Sequence, residues 1–500
     1  MLFNSLFGIL CLLLNTANGL RFASYYLDRM VLQREPASAT VWGFDELLPG
    51  VEASLDCVAP DGSAMSLPKQ TPHQTGDDVW ELRLSSFPGG TVCDIKVYDG
   101  VETISLKEVS FGDVWLCSGQ SNMHFMMKDI INASEEIDAS VEYSDIRFIT
   151  MQGVSPTPLV PDDSDDAYPS PRDMQAWYDS SNGDALGEFS AVCFLYARNI
   201  YDKLKIPIGL VKAEVGGTEI EPWSPSEALD KCNIEWQSPN CDINSTSSAP
   251  NVWHCNSILY NSKINPLKRM SLKGFLWYQG EANSHYNTDN YGCTFPALID
   301  AYRREFSLHS DTGMKAPFGF VQLAANRPDY DLLGFPKIRW HQTAGMGIVP
   351  NEYLENVFMA VALDTFDADA PTGTVHPRYK QIVAERLSLA GLNIAYGRRE
   401  YPTNGPFVQS INLTPLMQND GLVTITYNQP IMYDNSEISG FYYCCTKYEL
   451  CDDKHWTEIE KLSDVGINYV SSFSRYLFFG CICCYYFYIF VEVYIFYYIV

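Results

Sequence analysis

Positive charge is scarce in this sequence. Lys and Arg number 34 against 61 Asp and Glu, giving a formal net charge of -27 and a pI near 4.6. So acidic a chain offers no footprint for nucleic acid and is repelled by an anionic membrane surface. An anionic substrate would be repelled too, so its site would need a local Arg or Lys. Also missing is any Cys or His cluster at metal-ligand spacing, so no metal site is expected. The first residues carry no Lys or Arg, and the apolar run Leu6 to Leu14 is too short to span a bilayer. Followed by the small Ala17-Asn18-Gly19, it reads as a signal peptide over 1–19. Sequons at Asn132, Asn244 and Asn412 agree with passage through the secretory pathway, where cysteines oxidise. Cys232 with Cys241, and Cys451 with Cys444 or Cys445, are near enough in sequence for local bridges, though spacing does not fix the pairing.

The rest of the chain divides by pattern. Residues 20–110 alternate apolar and polar in runs such as 39–43, 79–84 and 92–97. Turn pairs such as Asp61-Gly62 and Asp99-Gly100 separate these runs, predicting a small β-rich domain, a sandwich. Residues 111–404 carry six apolar runs: Val114–Cys117, Ile146–Ile149, Ile208–Val211, Gly274–Tyr278, Phe318–Leu323 and Met359–Leu363. Helical spacing lies between several of them, at 190–204 and 296–306, and a long helix runs from His376-Pro377 to Tyr396, stopping at Gly397. That alternation predicts an α/β fold with a mostly parallel sheet covered on both faces. Residues 153–172 and 233–250 read as polar loops, and 405–475 as a second β-rich region.

In an open α/β sheet, ligands bind beyond the carboxyl ends of the strands. Four such ends carry polar groups. Val114–Cys117 runs into Ser118-Gly119-Gln120-Ser121-Asn122, a serine on a tight turn after a buried strand. Ile208–Val211 leads to Gly216-Gly217, a turn able to aim N–H groups at an anion. Gly274–Tyr278 is followed by Gln279-Gly280-Glu281, and Met359–Leu363 by an acidic loop and His376. A hydroxyl, an oxyanion-type turn, an amide-plus-acid cluster and an imidazole are the parts of a serine esterase. His124, His254, His285 and His341 compete with His376 as the base, His124 least because it shares the nucleophile's helix. Trp115, Trp223, Trp277 and Trp340 are core residues for the most part, with sugar stacking as the alternative.

The blocks Gly112-Asp-Val-Trp-Leu-Cys-Ser-Gly-Gln-Ser-Asn-Met, Trp277-Tyr-Gln-Gly-Glu-Ala-Asn and His376-Pro-Arg-Tyr-Lys-Gln resemble those of the sialate O-acetylesterase family, within the SGNH hydrolase superfamily. Phe22-Ala-Ser-Tyr, Met30-Val-Leu-Gln and the stretch from Gly334 to Thr343 are similar as well, so the likeness covers roughly 21 to 470. It implies an SGNH-type three-layer α/β/α domain flanked by small β-rich domains. It also implies a lysosomal or secreted enzyme that removes acetyl groups from the 9-hydroxyl of sialic acids, free or in sialoglycoconjugates, without a cofactor. Carried over, Ser121 would be the nucleophile and His376 the base. Ser121 N–H, Gly217 N–H and the Gln279 side chain would form the oxyanion hole, supported by Asn122 and Glu281. Many SGNH enzymes place an Asp three residues before the histidine, but here that position is Gly373. The orienting acid is then one of Asp364, Asp367 and Asp369, with Asp369 favoured, or a backbone carbonyl replaces it. Arg339 or Arg378 would meet a sialate carboxylate, or else each forms a surface ion pair.

Residues 476–500 break the pattern: Phe and Tyr dominate, with Glu492 inside an otherwise apolar run. Tyr-filled middles are unlike membrane spans. We read this tail as a mis-predicted 3′ end, with a membrane segment as the alternative; only the latter gives the protein a membrane partner.

Overall fold

The computed structural model describes residues 19–45, 50–65, 67–75, 78–151, 176–235, 237–241, 250–326, 334–415, 420–431, 441–446, 456–459, 470–478 and 486–491. The expected signal peptide (Gly19 apart), the loop 153–172 and Asn244 lie outside these residues.

The organising element is the 17-residue strand Thr103–Gly119, β1. Its first half pairs antiparallel with Val92–Tyr98, and its centre runs parallel to Val31–Gln33. Its second half lies in a run of parallel strands, Ile146–Thr150 (β2), Ile208–Glu214 (β3), Gly274–Tyr278 (β4), Phe318–Gln322 (β5) and Val357–Val361 (β6). The order is β2-β3-β1-β4-β5-β6, with the short antiparallel Tyr178–Asp179 at the β2 edge. The boundary expected at 110/111 therefore falls inside one strand, and one buried cluster runs from Leu20 to Leu392.

Strand register shows how both faces are covered. Trp115 on β1 and Phe358 on β6 lie against Tyr196 of the helix Ala191–Leu204 (α2), with ring centroids 5.1 and 6.4 Å apart. The helix Lys380–Tyr396 (α4) packs beside α2. Phe275 on β4 and Phe320 on β5 meet Phe306 and Phe295 of the helix Tyr291–His309 (α3), each pair at 5.3 Å. Buried on both sides, the strands read as continuous apolar runs rather than alternating ones. A mixed α/β architecture with a partly parallel sheet and separate antiparallel sheets is the result.

Helix ends differ from expectation where tertiary contacts override local signals. α3 begins five residues before Pro296, which sits in its interior. α4 begins at Lys380 rather than His376, because 370–379 is wound into turns; it stops where predicted, at Gly397 in the left-handed region. Cys232 does not pair with Cys241. It joins Cys293 on α3, and Cys241 joins Cys255, because the fold brings those partners closer than sequence spacing suggests. Cys57–Cys93 and Cys117–Cys193 complete four disulfides among the described residues, the last tying β1 to α2. Four bridges suit an extracellular or secretory-pathway protein; Cys451 is outside the described residues.

Val408–Pro415, Asp420–Ile431 and Val470–Phe478 form a further antiparallel sheet. Within the tail, Tyr486–Val491 pairs antiparallel with Phe441–Thr446. Among the described residues no helix is long and apolar enough to cross a membrane.

Candidate active site

β1 ends at Gly119, whose φ is +140° and where an added Cβ would lie 2.1 Å from the Tyr278 carbonyl oxygen. Only glycine permits that approach of two strand ends. Gln120 N–H then donates to Tyr278 O at 3.0 Å, and the chain enters the short helix Ser121–His124, α1. Gln120 Oε1 accepts from the N–H groups of Gly280 and Ala282 at 3.4 and 3.2 Å. The serine thus rides on a turn pinned to the end of β4.

His376 arrives from the loop after β6. Its Nε2 lies 2.8 Å from Ser121 Oγ and its Nδ1 3.0 Å from the Thr372 carbonyl. A carbonyl only accepts, so Nδ1 carries the proton and Nε2 presents its lone pair to the serine hydroxyl. Burial pushes the imidazole below its ordinary value; the Thr372 bond opposes this, and the charges of Lys380 and His124 add to it.

Thr372, not Asp369, faces Nδ1. Consecutive turns, Gly373 N–H to Ala370 O and His376 N–H to Gly373 O, curl Thr372 against the ring and leave Asp369 exposed upstream. Asp367 accepts from Arg378 Nε at 2.6 Å and Nη2 at 2.9 Å, and Asp364 takes both ends of Arg386.

On the opposite side of the serine, Gly217 has φ +75°, and a Cβ on Gly216 would touch Ser121 Cβ at 3.5 Å. Among the described residues the N–H groups of Ser121 and Gly217 have no acceptor. The Gln279 amide is differently engaged. Its Nε2 donates to Thr218 O at 3.2 Å and to Asn283 Oδ1 at 2.8 Å, while Oε1 accepts from Tyr291 Oη at 3.1 Å. Fully buried, Gln279 satisfies its own polar groups by tying the Gly216–Thr218 turn to β4, and does not offer a free donor.

Beneath the pair lies a buried network. Asn122 Nδ2 donates to Glu281 Oε1 and, at 2.8 Å, to Val375 O; Lys380 Nζ donates to Asn122 Oδ1 at 2.7 Å. Burial pushes Lys380 down to about 7 and pushes Glu281 up. Among the described residues no group of His, Cys, Asp and Glu is arranged to hold a metal ion.

The chain is similar to sialate O-acetylesterases of Homo sapiens, 38% identical over 87% of this chain and 81% of that one, and of Mus musculus, 36% identical over 90% and 86%. Residues 182–344 match the family model described as carbohydrate esterase, sialic acid-specific acetylesterase. The chain belongs to the sialate O-acetylesterase family. A carbohydrate acetylesterase from Xanthomonas citri shares the fold, with a TM-score of 0.68 at 23% identity and 88% of each chain covered.

In this sialate O-acetylesterase family member, His376 rather than the other histidines reaches Ser121. His124 pairs with Glu214 at 3.0 Å and His254 with Glu219 at 2.7 Å. His341 abuts Gly292 on α3, and His285 closes a short turn after Ser284. Trp115, Trp223 and Trp277 are core residues, whereas Trp340 is 55% exposed. Arg378 is closed by Asp367, and Arg339 donates to Ala324 O. Sequence reasoning left a backbone carbonyl open as the partner of Nδ1 without naming Thr372, which has no side-chain signal, and missed Lys380. The latter had a signal: with Val383, Ala384 and Leu387 it lies on the buried stripe of α4.

Proposed function

We propose that the chain is a serine esterase that hydrolyses O-acetyl esters of sialic acids, the 9-O-acetyl ester first, free or in sialoglycoconjugates. The observation that carries this reading is the 2.8 Å contact between Ser121 Oγ and a His376 whose tautomer is fixed, in a chain of this family. As Oγ attacks the acetyl carbonyl, Nε2 takes its proton. The oxyanion is met by the N–H groups of Ser121 and Gly217, each such donor being worth about 3 kcal/mol of barrier. The imidazolium returns the proton to the departing sugar hydroxyl as the sugar C–O–acyl linkage breaks at the acyl carbon. Water, deprotonated by the same Nε2, then attacks the acetyl carbon, and the imidazolium returns that proton to Ser121 Oγ as the acyl–Oγ bond breaks and acetate leaves.

The helices on both sheet faces support an SGNH-type three-layer α/β/α domain over 111–404, flanked by β-rich units at 20–110 and 405–475. The disulfides favour a lysosomal or secreted location, with exposed Asn132 suited to glycosylation.

Ser121→Ala should abolish hydrolysis of 4-nitrophenyl acetate while leaving the far-UV spectrum and melting temperature intact. Turnover at the wild-type rate in that variant would remove Ser121 from the mechanism, and an inactive wild type would point to a carbohydrate-binding protein. Faster hydrolysis of acetylated xylan than of 9-O-acetylated sialic acid would assign the enzyme to another acetylated sugar.

A further inference from the structure

The carboxamide of Asn122 sits between a cation and an anion. Its oxygen faces Lys380 Nζ, and its nitrogen faces Glu281 Oε1 and the Val375 carbonyl. A flipped amide would turn its N–H groups toward an ammonium and its oxygen toward a carboxylate and a carbonyl, so all three contacts would become repulsive. The pair of charges therefore fixes which way Asn122 points. That matters because Asn122 adjoins Ser121 and Val375 adjoins His376: one carboxamide ties the serine's turn to the histidine's loop.

Lys380 itself is fully buried. Its ammonium lies 4.7 Å from the centre of the Phe125 ring, which in turn faces the His376 ring at 6.5 Å, and 5.3 Å from the centre of the Tyr278 ring. Among the described residues no carboxylate touches it directly. The acids acting on it are Glu281, across the amide, and Asp367, already closed by Arg378. The charged groups acting on His376 are Lys380 from α4 and His124 from α1.

We propose that Lys380 is a positioning residue for the Ser121–His376 pair, orienting Asn122 through its hydrogen bond and opposing protonation of the imidazole through its charge. This rests on the serine-esterase reading above. The cation is present where it is needed: burial brings Lys380 down to about 7, so it is charged throughout the acid range in which the imidazole would otherwise take up a proton. Retained there, the charge extends activity toward acid.

The test is the pH profile of kcat/KM for 4-nitrophenyl acetate, which reads the serine and histidine irrespective of the sugar. Lys380→Gln keeps a donor for Asn122 without the charge, Lys380→Met removes both, and Lys380→Arg keeps the charge. The acid limb should move up by roughly half a pH unit or more in the Gln and Met variants, the scale of losing a nearby like charge, and stay in place for Arg. Met should also lower the plateau below Gln. Uniform loss at every pH, with the limb unmoved, would overturn the charge role and leave Lys380 merely structural. Should the uncharged variants fail to fold, nitrogen NMR of the wild-type imidazoles decides: the His376 resonance should show a second inflection near the titration of Lys380, and a single inflection would overturn the proposal. A wild type inactive on the aryl ester would instead defeat the esterase reading itself.

Discussion

Near Ser121 the Nδ1 of His124 meets the carboxylate of Glu214 at 3.0 Å, whereas the Nδ1 of His376, among the described residues, meets the carbonyl of Thr372, also at 3.0 Å. Both partners hold a ring in place. A carboxylate at Nδ1 of His376 would stabilise its imidazolium with a full charge, whereas the Thr372 carbonyl does so only with a dipole. The ring that touches the serine has the weaker partner, sits partly buried, and has a lysine beneath it. Each of these favours the neutral imidazole that a general base must be. The ring with the acid belongs to a different arrangement, in which burial works to raise Glu214 but His124, Lys212 and Lys263 outweigh it and hold the carboxyl below its ordinary range. Proximity of His to an acid, the usual sign of a triad, would have chosen the wrong histidine.

The comparison breaks most sharply at the histidines themselves. His376→Ala should lower kcat on an aryl acetate by about six powers of ten, whereas His124→Gln should leave most of it; comparable losses would mean that both rings handle the proton.

Glu214 should matter for the fold more than for the chemistry. Replacing it with Gln leaves Lys212 and Lys263, both buried, without their counter-charge, and should destabilise the protein by about 3 kcal/mol, read by denaturant unfolding. The sign with pH follows from its depressed value: the stabilisation is present above the unfolded carboxyl value of 4.5 and is lost as pH falls through the lower folded value. Wild type and variant should therefore converge in stability only in strong acid; a constant gap down through that range would show that the charge is not the cause.

Smaller effects separate the aspartates. Asp367→Asn loosens the Arg378 clamp at the root of the histidine loop and should cost roughly tenfold in kcat/KM, the scale of a small misplacement of a catalytic group. Asp369→Asn should change kcat/KM by less than about twofold, as expected for an exposed residue away from the ring. A loss of several powers of ten from Asp369 would restore it as the orienting acid and displace Thr372.

Much of this arrangement was legible in advance because apolar runs mark strands wherever a sheet is covered on both faces, and strand ends mark the site. The six runs overlap β1 to β6 in turn, with β1 beginning eleven residues and β6 two residues before its run. Gly119 and Gly217 stand where the backbone needs a left-handed or crowded turn. The starts of α3 and α4 were misplaced, since proline and capping patterns report local preference while those ends are set by what the helix packs against.

The sequence by itself determined the family, the strand-and-turn that carries Ser121 and the loop that carries His376, since these depend on residues adjacent in the chain. Tertiary structure alone decided the partners separated along it. It joined Cys232 to Cys293, turned the Gln279 amide into a tie for the neighbouring turn, and gave Nδ1 of His376 to a carbonyl. It also set Lys380 beneath the Ser121–His376 pair, 258 residues along the chain from the asparagine it holds. The physical reason is that buried polar groups must find partners, and folded geometry, not sequence distance, decides which ones are within reach.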